Sequence, residues 1–156
     1  MTSTVESRLQ ARGLVLPGAP APVANYVPTC RTGNLLFVSG QVSRTGDGKI
    51  LAGKLGGGVD LAGGRKAAEV CALNILAQVR AALGSLDRIE RIVKLTGFVN
   101  AVPAFTEHPQ VVNGASDLLV DLLGDKGRHT RSAVGVGSLP MDASVEIEAI
   151  IEVSSA

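Results

Sequence analysis

Aromatic side chains are nearly missing from this chain: of 156 residues, one is tyrosine, three are phenylalanine and none is tryptophan. Proteins that grip single-stranded nucleic acid stack its bases on aromatic rings, so this scarcity speaks against an RNA or DNA partner. Neither sign of charge prevails. Fifteen Lys and Arg face fourteen Asp and Glu, for a net charge of +1. No basic face of the kind that holds nucleic acid or an anionic membrane is expected from such a balance. Cysteine is limited to Cys30 and Cys71 and histidine to His108 and His129. That is too few for a disulfide framework, and no C-x-x-C or matching histidine spacing offers a metal site, so reduced thiols and no metal are expected. No apolar run approaches the ~18 residues of a membrane-spanning helix. The opening stretch MTSTVESRLQARGL lacks the apolar centre of a signal peptide, so a cytoplasmic protein without a membrane partner is expected. The G-K-[ST] ending of a phosphate loop and the G-x-G-x-x-G of a dinucleotide fold are both absent, and no cofactor is expected.

The rest of the chain suits one domain over residues 1–156, with residues 1–19 as an N-terminal extension carrying a short helix. In VESRLQARGLVLP the helix is stopped by Gly13 and Pro17. The Pro/Ala stretch that follows is extended, because each proline turns its predecessor away from the α region. TCRTGNLLFVSGQVS reads as two strands about a Thr-Gly-Asn turn, with Leu35 to Val38 an unbroken apolar run of the kind found in a buried central strand. The glycine-rich segment 44–64 reads as a flexible loop. Asp60 is a candidate N-cap for a helix whose stripe is Ala68, Ala72, Ile75, Leu76, Val79 and Leu83, ended by Gly84. RIVKLTGFVNAV is a strand, with Gly97 marking a bulge or a close approach. A second helix presents Val111, Val112, Ala115, Leu118, Leu119 and Leu122, and stops at Gly124. Two strands close the chain. Helices with one apolar face each belong on one side of a mostly antiparallel sheet, which makes an α+β sandwich of two layers.

Residues 129–153, HTRSAVGVGSLPMDASVEIEAIIEV, hold the densest chemistry. The last strand alternates, with Val145, Ile147, Ala149 and Ile151 on one face and Glu146, Glu148, Ile150 and Glu152 on the other. Glutamates on a sheet face are commonly just solvated. Ile150, Phe98 and Val38 hint instead that this face is partly covered, and a covered carboxyl becomes a candidate for acid–base work. Arg131 offers two parallel N–H groups that match a carboxylate. His129 could titrate near neutrality and act as a base, although a loop histidine is more often solvated. His108, before Pro109, reads as a helix-opening residue. Tyr26 lies in an Ala/Pro segment with no evident core role, and Gly40 after an apolar strand lets backbone approach a ligand. A serine hydrolase is ruled out by the lack of a G-x-S-x-G and of a triad.

Four stretches resemble the RidA family, also called YjgF-like or L-PSP endoribonuclease-like: NYVP around Tyr26, NLLFVSGQV at 34–42, VVNGASDLL around Asn113, and RSAVGVGSLPMDASVEIEAI at 131–150. They span residues 20–153 and look closer to a longer branch than to RidA itself. The resemblance implies a chorismate-mutase-like fold assembled as a homotrimer, with clefts between subunits. It also implies hydrolysis of reactive 2-imino or enamino acids to 2-oxo acids and ammonia, with no cofactor. Residue by residue, Arg131 matches the arginine that grips the substrate carboxylate, and Glu146 matches the acid that positions or activates water. Tyr26, Gly40 and Asn113 match positions lining the cleft, and the Ala133 backbone matches a hydrogen-bonding amide. This chain departs from the pattern at Ala133, where the family commonly has Cys, and at Gly135, which replaces a frequent acidic residue.

If the two closing strands made a simple hairpin about Pro140-Met141, Arg131 would lie opposite Ile151, and Glu146 roughly 16 Å along the sheet. The two meet only if the strands pair otherwise or if two subunits contribute. Three functions stay open at this level: an imine/enamine deaminase, a trimeric binding protein for small carboxylates, and an endoribonuclease or translation inhibitor.

Overall fold

The computed structural model describes residues 4–155, so residues 1–3 and 156 of the expected domain and extension lie outside the described part. The chain order is α1 (Val5–Ala11), β1 (Thr29–Thr32), β2 (Leu35–Val42), β3 (Lys54–Leu55), β4 (Gly58–Val59), α2 (Leu61–Leu83), β5 (Ile89–Asn100), α3 (His108–Leu123), β6 (Thr130–Val136) and β7 (Val145–Val153). Five strands form one sheet in the order β1-β2-β7-β5-β6, in which only the β5–β6 pair is parallel. Helices cover one face, giving the α+β sandwich with a mostly antiparallel sheet.

Local chemistry sets the helix ends. Asp60 accepts from the Gly63 amide at 2.8 Å and starts α2, and Gly84 at φ 84° ends it in the left-handed conformation that glycine adopts without strain. Thr4 caps α1 by accepting from the Ser7 amide, and Val5 and Leu9, one turn apart, bury its apolar side. Pro109 lies in the first turn of α3, where its missing N–H costs nothing.

Three expectations need correction. The helix α2 is not one-faced: every residue from Val70 to Val79 is buried. Its outer side is covered by α3 and by the Pro/Ala segment, whose Pro20 carbonyl accepts from Gln78 Nε2 at 3.0 Å. The glycine-rich segment is an ordered clasp: β3 and β4 pair in parallel, and Lys54 Nζ donates to Asn100 Oδ1 at 2.8 Å and to the Gly137 carbonyl. β2 is not buried on both faces. Val38, paired with Ala149, points into the core, and Phe37, paired with Ile150, stands on the helix-free face at 41% exposure. The apolar run lacked a period, and the register shift between Val38 and Gln41 hides one further. The pairing of the two closing strands, which the sequence leaves open, is not a hairpin: β5 lies between β6 and β7.

Gly97 marks a close approach rather than a bulge: a Cβ there would lie 2.6 Å from Val112 Cγ2, so α3 settles directly on β5. The register shifts of β5 fall elsewhere, between Ile89 and Lys94.

Candidate functional site

The residues singled out in the sequence form two groups on opposite faces of the sheet. In the first, Arg131 pairs with Leu95, a fully buried core residue, so its side chain leaves β6 on the helix side. There it runs under the start of α3. Nη1 donates to Asn113 Oδ1 at 2.7 Å and to Ser116 Oγ at 3.1 Å, and Nη2 to the Pro109 carbonyl at 3.4 Å. No carboxylate pairs with it among the described residues. Three neutral acceptors orient the guanidinium without neutralising it, which leaves its charge for an anion from outside. Ala133 and Gly135 follow on the same side of β6. His108 opens α3 as expected, with its ring edge-on to Phe105 (centroids 5.4 Å apart), and it lies over Gly135, where a Cβ would come 3.1 Å from His108 Cδ2.

His129 is neither a base in a cleft nor merely solvated. Its Nδ1 lies 2.6 Å from the Gly127 carbonyl, which can only accept, so the proton is on Nδ1. Nε2 then accepts the Ser116 hydroxyl at 2.9 Å. The chain of bonds from Gly127 through His129 and Ser116 to Arg131 braces the arginine. Burial, then the nearby Arg131 charge, hold the His129 pKa below the ordinary histidine value, with the Gly127 bond opposing them. A folded value below the unfolded ~6.5 means that this brace contributes stability fully above that pH and loses it as pH falls through the lowered folded value. The loss of thermal stability between pH 7.5 and 5 is therefore expected to shrink in His129→Gln. Identical pH slopes in thermal melts of the two proteins would remove His129 from the brace.

The second group surrounds Glu146. This residue pairs with Val42 on one side and Phe98 on the other, which places it on the face without helices. It lines a cleft of about 280 Å³ together with Tyr26, Gly40, Gln41, Arg44 and Gln78. Tyr26 is 52% exposed, in keeping with its lack of a core role. Burial, reinforced by the neighbouring Glu148, pushes the Glu146 pKa above the ordinary carboxyl value. Gly40 is what lets Glu146 lie here: a Cβ at Gly40 would overlap Oε1 and come 3.0 Å from Cδ. Since the obstructed atoms end a flexible side chain, Gly40→Ala is expected to fold normally but turn Glu146 into solvent. Its carboxyl titration, followed by carbon NMR, should drop toward ~4.3; an unchanged midpoint would show that Gly40 has no such role.

Within one chain the two groups stay apart. Arg131 lies in the row of Leu95 and Ala149, three residues from Glu146, so the two are separated by roughly 10 Å along the strands and two strand spacings of about 4.8 Å across them. Sequence reasoning missed Ser116, although its i, i+3 spacing from Asn113 on one helical face signals a pair. It also missed Arg44 and the buried Asn100, whose Nδ2 donates to Asp142 Oδ1 at 3.0 Å and the Ala143 carbonyl at 3.1 Å and so fixes the turn before β7.

No metal-holding group of His, Cys, Asp and Glu occurs among the described residues, and no described helix is long and apolar enough to cross a membrane. Cys71 is buried against the Val145 carbonyl, with its pKa raised by burial and then by the Glu146 charge, while Cys30 is exposed.

Comparison with known proteins identifies the family and the fold. Residues 6–152 match the family described as "YjgF/chorismate_mutase-like, putative endoribonuclease". Protein TCP17 of Trypanosoma cruzi is 46% identical over 152 residues, covering 97% of this chain and 95% of TCP17. The crystal structure of Atu1372 from Agrobacterium tumefaciens superposes with a TM-score of 0.90 at 52% identity, covering 97% of this chain and 94% of that one. Escherichia coli TdcF, solved with bound serine, gives 0.64 at 28% identity, covering 87% and 94%. The chain thus stands nearer to Atu1372 than to TdcF, and by its fold, its matched span and these relatives it belongs to the YjgF/chorismate-mutase-like family.

Proposed function

We propose that this protein hydrolyses reactive 2-imino and enamino acids to 2-oxo acids and ammonia, as a cytoplasmic homotrimer whose clefts join the Arg131 group of one subunit to the Glu146 group of the next. The observation that carries this reading is Arg131 itself, a guanidinium braced by neutral acceptors, without an acid partner, at the edge of the sheet. The helix-free face supports the assembly. It exposes Phe37, beside its partner Ile150, at 41% and, farther along on β6, Val134 at 43%, apolar surface that a neighbouring subunit would cover.

In this reading Arg131 grips the substrate carboxylate, with Asn113 and Ser116 holding its orientation and the Ala133 backbone adding a hydrogen bond. Tyr26 and Gly40 wall the imine carbon in beside Glu146. As water adds to that carbon, the Glu146 carboxylate takes one of its protons. With the imine entering protonated, this gives a neutral carbinolamine. Glu146 returns the proton to its amino nitrogen, and the C–N bond breaks to release ammonia. The carbinol hydroxyl gives its proton back to the Glu146 carboxylate as the C=O of the 2-oxo acid forms. A carboxyl whose pKa is raised by burial suits both halves of the exchange, and a positioned base of this kind contributes ~10²–10⁴-fold. No cofactor enters the scheme.

The test is imine decay in a coupled assay. An amino-acid oxidase or a threonine dehydratase generates the imine, and semicarbazide traps what remains. Faster loss with the protein supports hydrolysis. No acceleration over a panel of imines, with the oligomer intact, would sink the reading.

A second reading, a trimeric protein that binds small carboxylates without turnover, is favoured by the serine bound to TdcF, a carboxylate with no imine to hydrolyse. Binding of 2-oxo acids without faster imine loss would select it. RNA cleavage has names alone behind it, those of the family and of some solved relatives, against a net charge of +1 and four aromatic residues.

A further inference from the structure

Arg44 is the cation that the scheme above leaves unused. It follows β2 directly, two residues past Val42, the register partner of Glu146, and it lines the same cleft. Its Nε is buried and is the one such side-chain nitrogen or oxygen without a hydrogen-bond partner among the described residues. Its Nη2 meets only the Met141 thioether, at 3.4 Å, a weak acceptor. Nε and Nη2 make up one edge of the guanidinium, the edge whose two parallel N–H groups fit a carboxylate. An unsatisfied buried donor costs about 1–3 kcal/mol, so a fold that keeps one calls for an explanation.

The acids of the chain do not supply it. Asp47, nearest in sequence, accepts from the Thr45 hydroxyl and the Lys49 amide. Asp142 accepts from Asn100, and no ion pair joins Arg44 to Glu146. The residue against that edge is itself unusual. Met141 has φ 58° and Asp142 φ 55°, two consecutive non-glycine residues in the left-handed region, held there by the Asn100 bonds. Strain of this kind persists where surrounding structure imposes it, and it gathers at ligand sites. The Met141 side chain is 54% exposed, unbranched and flexible, so it can swing off the edge it covers.

We infer that Arg44 is a specificity residue that receives a second, distal carboxylate of the ligand, so that the preferred substrates are dicarboxylic 2-imino acids, with Met141 as the displaceable cover. The inference rests on the proposed reading of this cleft as the place where Glu146 works. One carboxylate is held by Arg131, the reacting carbon lies by Glu146, and the side chain extends toward Arg44. A monocarboxylic ligand of equal length leaves the Arg44 edge on the thioether and gains nothing from it.

The test compares the imines formed from glutamate and from norvaline, which differ at the distal end. Wild type is expected to favour the dicarboxylic one by about 10- to 100-fold, the range that charge-assisted hydrogen bonds supply. Arg44→Leu should remove that preference, and Met141→Ala, which bares the edge without touching the arginine, should enlarge it. Faster decay of both imines with equal preference would overturn the role of Arg44 and leave the deaminase intact. If neither imine decays faster, the deaminase fails, and calorimetric binding of 2-oxoglutarate against 2-oxopentanoate decides the Arg44 question separately. Tighter 2-oxoglutarate binding that Arg44→Leu abolishes would uphold it, and equal affinities would end it.

Discussion

Arg131→Ala is expected to lower the protein-dependent rate of imine loss by at least about 100-fold, because it removes both the charge and the orientation given to the substrate carboxylate. Arg131→Lys should recover little of this, since an ammonium supplies a point charge but no fork. The split between constants matters. A carboxylate grip that serves ground state and transition state alike raises KM alone, whereas one that aims the imine carbon at the water lowers kcat as well, and the second is expected. Arg128→Ala is the control: three residues away, exposed and paired with Asp125 at 3.5 Å, it should leave the rate unchanged. Undiminished imine loss in Arg131→Ala, with oligomer and melting temperature preserved, would remove this arginine from the mechanism.

The second large effect concerns stability. Helices α2 and α3 touch backbone to backbone at Gly114, where a Cβ would overlap the Arg65 carbonyl oxygen and lie 2.8 Å from its carbon. The obstruction is main chain inside a helix, so it cannot turn aside as Glu146 can at Gly40. Gly114→Val should therefore pry the helices apart and cost about 3 kcal/mol or more. For a chain of this size that is roughly a 6–12 °C fall in melting temperature. Gly18→Val, at an exposed position with no atom within 4 Å of the added Cβ, should melt close to wild type. Equal melting temperatures for the two variants would show that the helix crossing tolerates separation.

Much of this was legible in the sequence, because it depends on neighbours. Asp60 and Gly84 announce the ends of α2 by chemistry confined to one turn. The alternation from Val145 to Val153 assigned every face of β7 correctly, since its period of two is a property of the strand alone. What stayed hidden depends on residues far apart. That β5 separates β6 from β7 is a choice of partners between remote segments, and no local pattern encodes it. The unbroken apolar run at Leu35–Val38 gave no period, so Val38 was placed on the outer face that Phe37 occupies. The resemblance names Gly40 and Tyr26, which line one cleft with Glu146, but nothing in the sequence signals Arg44, because its edge is defined by Met141, 97 residues away.

The sheet order carries a consequence for the way the chain comes to be. β7, the last strand in sequence, is the middle strand in space, bonded to β2 on one side and β5 on the other. During synthesis the β1–β2 hairpin and the β5–β6 pair emerge before the strand that joins them, each with an open edge facing the gap. Such edges invite pairing with other chains, and contacts so distant in sequence close slowly. A chain cut before Val145 therefore lacks the strand that joins the two halves of the sheet, and Glu146 comes only with that strand.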